Sequence, residues 1–232
     1  MNLTGISTGS KALDSLIGTG LPRKMIAQVY GEPGSGKSTL CILAAVTVLK
    51  SGKSVIYFDT ESFSVDRFSQ IAGDQAEKLA ELLYLYEPAD FDQQAIMIGE
   101  SEKLLKEQDV GLIILDSATG LYRTELEHKQ EALQRINKQM VMLLGYAKRY
   151  DIPVLITNQV YMDITRGEFA PLGGTGLYHL CKVILRIERT EQTRRIRITK
   201  HHAKPEGSYI EFTIVQEGIQ VLTGDEVNTD EL

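Results

Sequence analysis

Residues 31 to 39 read GEPGSGKST, in which Gly31, Gly36, Lys37 and Ser38 satisfy the spacing G-x-x-x-x-G-K-[ST]. Glycines let the chain curl so that successive backbone N–H groups converge on phosphate oxygens, and a following helix adds the positive end of its dipole. A lysine at the end of such a loop reaches the β- and γ-phosphates, and the hydroxyl after it ligates Mg²⁺. The stretch therefore predicts a site for ATP and Mg²⁺ built from Gly31, Glu32, Pro33, Gly34, Ser35, Gly36, Lys37, Ser38 and Thr39. Three acids elsewhere suit the same chemistry. Asp116 closes the apolar run LIILD, where a carboxylate would hold the Mg²⁺ shell together with Ser38. Asp59 and Glu61, in FDTE, follow another apolar run, and one of them could accept a proton from an attacking water. The guanine-reading pattern Asn-Lys-x-Asp is absent, and its nearest match, NKQM, has no acid.

These groups need elements to bring them together. Short runs rich in β-branched residues, at 26 to 30, 54 to 59, 83 to 86, 111 to 116 and 153 to 158, alternate with longer helical patterns, the signature of βαβ units. Leu133, Ile136, Met140, Leu143 and Ala147 recur at spacings of three and four, predicting a helix over 129 to 149 that packs on the sheet. The strands are apolar on consecutive positions, as helices on both faces of a mostly parallel sheet require. After Cys181 the pattern becomes KVILRIER, RRIRITK, SYIEFTIV and IQVL with short turns between, an antiparallel extension of the sheet. The fold class expected is α/β, one core domain over 1 to 222 with a twisted, mostly parallel sheet flanked by helices, followed by an acidic flexible tail at 223 to 232.

Composition is that of a globular chain, with 43% apolar and 24% charged residues among 232. Cys41 and Cys181 stand far apart in apolar segments, which argues against a zinc site or disulfide framework. No apolar stretch approaches the ~20 residues of a membrane span, and a cytoplasmic location is expected. The net charge of −6 opposes nucleic-acid binding overall, but residues 186 to 204 carry seven Lys or Arg against two Glu. That segment is either a phosphate-binding face or the solvent side of an amphipathic strand with Ile196 and Ile198 inside.

Several motifs in order resemble the RecA/RadA recombinase superfamily: STGSKALDSLIGTGLP, QVYGEPGSGKSTL, YFDTE, LIILDSATGLYR and VLITNQV, over nearly the whole chain from Ile6 to about Leu222. The resemblance implies a RecA-like P-loop ATPase core in which Lys37 neutralises charge, Glu61 activates water and Gln159 senses the γ-phosphate. It also implies two DNA-facing regions, at 122 to 129 with Arg123 and at 161 to 174 with Arg166, Phe169, Gly173 and Gly174. A cation, an aromatic and glycines together suit contact with a single strand. With 25 residues before Ile26, the helical N-terminal domain and Phe-x-x-Ala linker of full recombinases are expected to be missing. With KHHAKPEG near residue 200, this resembles the RadB group of small archaeal RadA paralogues. That group implies an accessory of homologous recombination and repair that assists a RecA/RadA-type recombinase, with weak ATP hydrolysis and little strand exchange.

On this resemblance Arg194, Arg195, Arg197, Lys200, His201, His202 and Lys204 become phosphate contacts beside the nucleotide edge, giving DNA, in particular single-stranded DNA, as a partner. Lys204 and Pro205 have a second possible role, capping ATP in a neighbouring copy of a dimer or short oligomer. Two other functions fit the loop: a RecA-core signalling ATPase acting on protein partners, and a small-molecule P-loop kinase. Absence of DNA affinity would favour the first and a phosphorylated small product the second.

Overall fold

The computed structural model describes residues 5–163 and 168–222. Arg166 and the acidic tail lie outside the described residues. The strands are β1 (Ile26–Gly31), β2 (Ser54–Asp59), β3 (Leu83–Tyr86), β4 (Val110–Asp116), β5 (Val154–Asn158), β6 (Val160–Asp163), β7 (Glu168–Pro171), β8 (Cys181–Arg189), β9 (Arg194–His201), β10 (Tyr209–Val215) and β11 (Gly218–Val221). Nine of them form one sheet in the order β11-β10-β9-β8-β1-β5-β4-β2-β3. From β8 to β3 neighbours run parallel, and β8 through β11 pair antiparallel, as the change of pattern after Cys181 predicts.

The helices are α1 (Lys11–Ile17), α2 (Lys37–Lys50), α3 (Val65–Ala72), α4 (Ala76–Ala80), α5 (Phe91–Glu100), α6 (Glu102–Glu107), α7 (Lys129–Tyr150) and α8 (Gly174–Leu180). Two buried clusters lie on opposite faces of the sheet. One joins Leu40, Leu43 and Leu49 of α2 to Val29, Tyr57, Leu112 and Phe212; the other joins Ile136, Met140 and Leu143 of α7 to Ile56, Ile113 and Ile156. Every residue of β1, β2, β4 and β5 is buried, which explains their unbroken apolar runs. The first turn motif is structural: Ser10 caps α1, and Asp14 accepts from Thr8 N–H at 2.8 Å and Ser7 Oγ at 2.6 Å.

This order places four chemically important ends on one edge. Gly31 closes β1, Asn158 closes β5, Asp116 closes β4 and Asp59 closes β2, all neighbours with the same direction. It also overturns one expectation. Arg189 faces Arg194 at the nucleotide edge, whereas Val183 faces His201, so β9 carries residues 200 to 204 away from that edge. The turn closed by Thr190 N–H to Thr193 O at 3.0 Å reverses the chain there. At ~3.4 Å per residue, Lys200 stands roughly 20 Å from the loop that Arg194 adjoins. Lys200, His201, His202 and Lys204 are therefore at the opposite edge, near α1, where a β-carbon on Gly18 would lie 3.5 Å from Lys204 Cε.

Two further expectations change. Of the region expected as a loop at 161 to 174, residues 161–163 and 168–171 lie in the antiparallel pair β6 with β7, in register from Val160 with Pro171 to Asp163 with Glu168. Its Gly173 and Gly174 have φ of 95° and 68° and start α8, so they turn the chain. Tyr122, in the first region expected to face DNA, is 2% exposed and packs edge-on against Phe91.

Candidate nucleotide site

The loop between β1 and α2 has left-handed glycines at Gly34 (φ 70°) and Gly36 (φ 107°), the conformation that turns consecutive N–H groups to one side. Gly31 is needed for a different reason. A β-carbon there would meet Ile187 O of β8 at 2.5 Å, so any side chain drives β1 and β8 apart. Gly31→Ala is expected to lower stability by about 1–3 kcal/mol, read as a melting temperature several degrees below wild type.

Lys37 is 5% exposed, and its Nζ donates to Gly31 O at 2.9 Å and Glu32 O at 3.0 Å. Burial pulls its pKa down, and the charges of Glu61 and Asp116 oppose that. The hydroxyl of buried Ser35 has no partner among the described residues. A pocket of about 270 Å³ is lined by Pro33, Gly34, Gly36, Lys37, Ser38, Thr39, Glu61, Gln159 and Ile214. Sequence reasoning thus anticipated all of its lining except Ile214, an apolar wall from β10.

The acids divide their tasks. Asp59 turns into its own loop, accepting from Glu61 N–H at 3.2 Å and Phe63 N–H at 2.5 Å, and burial raises its pKa. Glu61 faces the pocket, where its Oε1 accepts from Gln159 Nε2 at 2.7 Å. Asp116 is 2% exposed and held on both oxygens, by Tyr57 O–H at 2.8 Å and Thr157 O–H at 2.5 Å. Burial foremost, and then the Asp116 charge, raise the Tyr57 pKa, which keeps the phenol a donor. The following Asp116–Ser117 peptide is cis, and Thr60 Oγ ties it to β2, accepting from Ser117 N–H at 2.8 Å.

These residues fit ATP with Mg²⁺. The loop would present the phosphate cradle, Lys37 the cation, and Ser38 with Asp116 the oxygen donors. Among the described residues no group of three or more His, Cys, Asp or Glu could hold a metal ion. Mg²⁺ is commonly held by one or two carboxylates together with substrate phosphates.

Hydrogen bonds continue from Gln159 to the hairpin. Gln159 N–H donates to Thr119 Oγ at 3.3 Å, Thr119 O–H to Asn158 Oδ1 at 2.6 Å, and Asn158 Nδ2 to Leu172 O at 2.7 Å. Leu172 N–H returns to Gln159 O at 3.0 Å. Thr119 and Asn158, like Tyr57 and Thr157, carry no signal in the sequence because their partners are 14 to 59 residues away.

The expected DNA contacts do not form one patch. Arg123 is exposed on a 3₁₀ turn after β4. Arg195 pairs with Glu211 at 2.8 Å and lies 4.1 Å over the Tyr209 ring; Arg197 is half-buried opposite Arg186. Lys200 donates to Tyr178 O at 2.6 Å, and His201 Nδ1 accepts from Ala203 and Lys204 N–H, both at 2.9 Å, with His202 stacked on it. Lys200 and His201 thus secure local structure.

The family model described as Rad51 matches residues 1–222. The chain is 54% identical over 224 residues to a protein named DNA repair and recombination protein RadB from Methanoculleus marisnigri, covering 96% of this chain and all of that one. Proteins of the same name from Methanococcoides burtonii and Archaeoglobus fulgidus are each 42% identical. They cover 90% and 93% of this chain, and 95% and 97% of their own lengths. Among the described residues no helix is long and apolar enough to cross a membrane.

Proposed function

The chain belongs to the Rad51 family, and to the RadB group within it, and from that premise we propose that it is an ATP-binding accessory of DNA recombination and repair whose grip on single-stranded DNA follows its nucleotide state. The observation that carries the reading is the unbroken series of hydrogen bonds from Glu61 through Gln159, Thr119 and Asn158 to Leu172 at the base of the β6–β7 hairpin. Bound ATP with Mg²⁺ supplies a γ-phosphate for attack by water. Lys37 would stabilise negative charge at the phosphates, Ser38 and Asp116 would hold the metal, and Glu61 would orient the water and take its proton. Gln159 already bonds Glu61, so any rearrangement of that carboxylate moves the hairpin's anchor.

DNA affinity then depends on both salt and nucleotide, because each Lys or Arg that engages a phosphate releases counterions. Partnership with a RecA/RadA-type recombinase, assembly as a dimer or short oligomer, weak hydrolysis and little strand exchange belong to the same proposal. The test is anisotropy of a labelled single-stranded oligonucleotide titrated with protein, with and without ATP and Mg²⁺, over a salt series. Salt-sensitive binding that shifts with nucleotide supports the reading; no binding at low salt turns it toward a protein-regulating ATPase or a kinase. Gln159→Ala is expected to change ATP affinity less than about twofold while losing most of a nucleotide effect of roughly 5–150-fold on DNA affinity. An intact effect would show that Gln159 is not the link.

A further inference from the structure

The turn between β8 and β9 carries arginines that the P-loop chemistry described above does not use. Arg189 and Arg194 are direct partners across that ladder. Like charges opposite each other disfavour a strand pair, and two arginines nearby are relieved by acids: Arg186 lies 3.2 Å from Glu188, and Arg195 2.8 Å from Glu211. Arg189 and Arg194 have no such relief among the described residues, and Arg194 Nε is buried without an acceptor. Both lean on the nucleotide loop. A β-carbon at Gly34 would be 3.5 Å from Arg189 Nη1, and one at Gly36 would be 3.7 Å from Arg194 Cδ.

The charge balance of the pocket gives this pair a use. Lys37 and Glu61 line it and Asp116 lies close by, so the protein's own acids offset its single lining cation. ATP with Mg²⁺ is itself a net anion. Resting on the proposed ATP site, we propose that Arg189 and Arg194 form a second cationic clamp on the phosphates of the bound nucleotide, supplied by the same chain from the β8–β9 turn. A guanidinium presents its N–H groups as a planar fork that matches phosphate oxygens. An anion between the two arginines satisfies Arg194 Nε and cancels the repulsion across the ladder at once.

The test compares wild type with the Arg189→Ala, Arg194→Ala double variant by titration with ATP, and separately by titration of a single-stranded oligonucleotide without nucleotide. The expected result is ATP affinity lower by roughly ten- to a hundredfold, with nucleotide-free DNA affinity and its salt slope unchanged. Unchanged ATP affinity overturns the clamp, and if DNA affinity falls instead, the pair serves the DNA backbone. Arg194→Lys keeps charge and stem and is expected to recover part of the loss. If it loses as much ATP affinity as Arg194→Ala and both melt early, Arg194 is a packing residue and the clamp fails. Should wild type bind no ATP, the reading of the pocket and the clamp fall together. If Lys37→Ala abolishes binding and the double variant binds normally, only the clamp falls.

Discussion

Lys37→Ala is expected to lower ATP affinity by at least about a hundredfold while leaving the apoprotein's melting temperature within a few degrees of wild type. The two halves of this expectation have different origins. Without ligand, the ammonium is buried and held by two neutral carbonyls, Gly31 O and Glu32 O. Burial works against its charge more than Glu61 and Asp116 favour it. Removing a cation so placed costs the apo fold little. With nucleotide bound, the same ammonium exchanges neutral carbonyls for phosphate oxygens. Charge-assisted bonds contribute about 1.5–3 kcal/mol each, and more than one is lost. Calorimetric titration with ATP and Mg²⁺, beside a thermal melt without them, separates the halves. Wild-type affinity in the variant would remove Lys37 from the site; an early melt without ligand would make it a structural residue.

The parts of this site that depend on local pattern are legible in the amino-acid sequence alone. The glycine spacing, the apolar runs that end in Asp116 and Asp59, and the stripe on α7 are each set by neighbours within a few residues. The parts that depend on pairing are not. KHHAKPEG is a basic stretch close in sequence to the arginines that flank the loop, yet one reversal at Thr190 to Thr193 sends it to the far edge of the sheet. Charge counted along a chain does not reveal which edge a strand returns to. The hairpin at β6 and β7 is hidden for a related reason: its short strands VYMD and EFAP mix aliphatic, aromatic and acidic residues with a proline, and it is fixed at its base by Asn158 and Gln159.

Partners across the sheet decide the remaining roles. Asp59 and Glu61 are equal candidates on strand position alone, and their roles divide through the loop between them: Asp59 accepts two backbone N–H groups and Glu61 the amide of Gln159. Arg67 carries no signal in the sequence, but its guanidinium donates to Val215 O at 2.7 Å, Gly218 O at 2.8 Å and Gln216 O at 3.0 Å. It thereby fixes the β10–β11 turn beside Ile214, the apolar wall of the pocket. A residue at the start of α3 so shapes one wall of the nucleotide site through a turn about 150 positions away, a dependence that no local rule could express.

Glu61→Gln is expected to retain ATP binding within about threefold and to slow single-turnover hydrolysis by roughly 10²–10⁴-fold, the usual contribution of a positioned general base. Glutamine has nearly the shape of glutamate, and its carbonyl oxygen can still accept from Gln159 Nε2, which now bonds Glu61 Oε1 at 2.7 Å. The link to Asn158 and the hairpin is therefore kept. What is lost is the basic oxygen that receives the proton of the attacking water. The variant should accordingly stay in its ATP-bound response to single-stranded DNA for longer than wild type, which shows a nucleotide effect that decays as ATP is consumed. This pairing of readouts decides between two roles for Glu61. Slow hydrolysis with a persistent ATP effect makes Glu61 the base. Unslowed hydrolysis removes it from the chemistry, and slow hydrolysis with no ATP effect on DNA makes its bond to Gln159 the feature that matters.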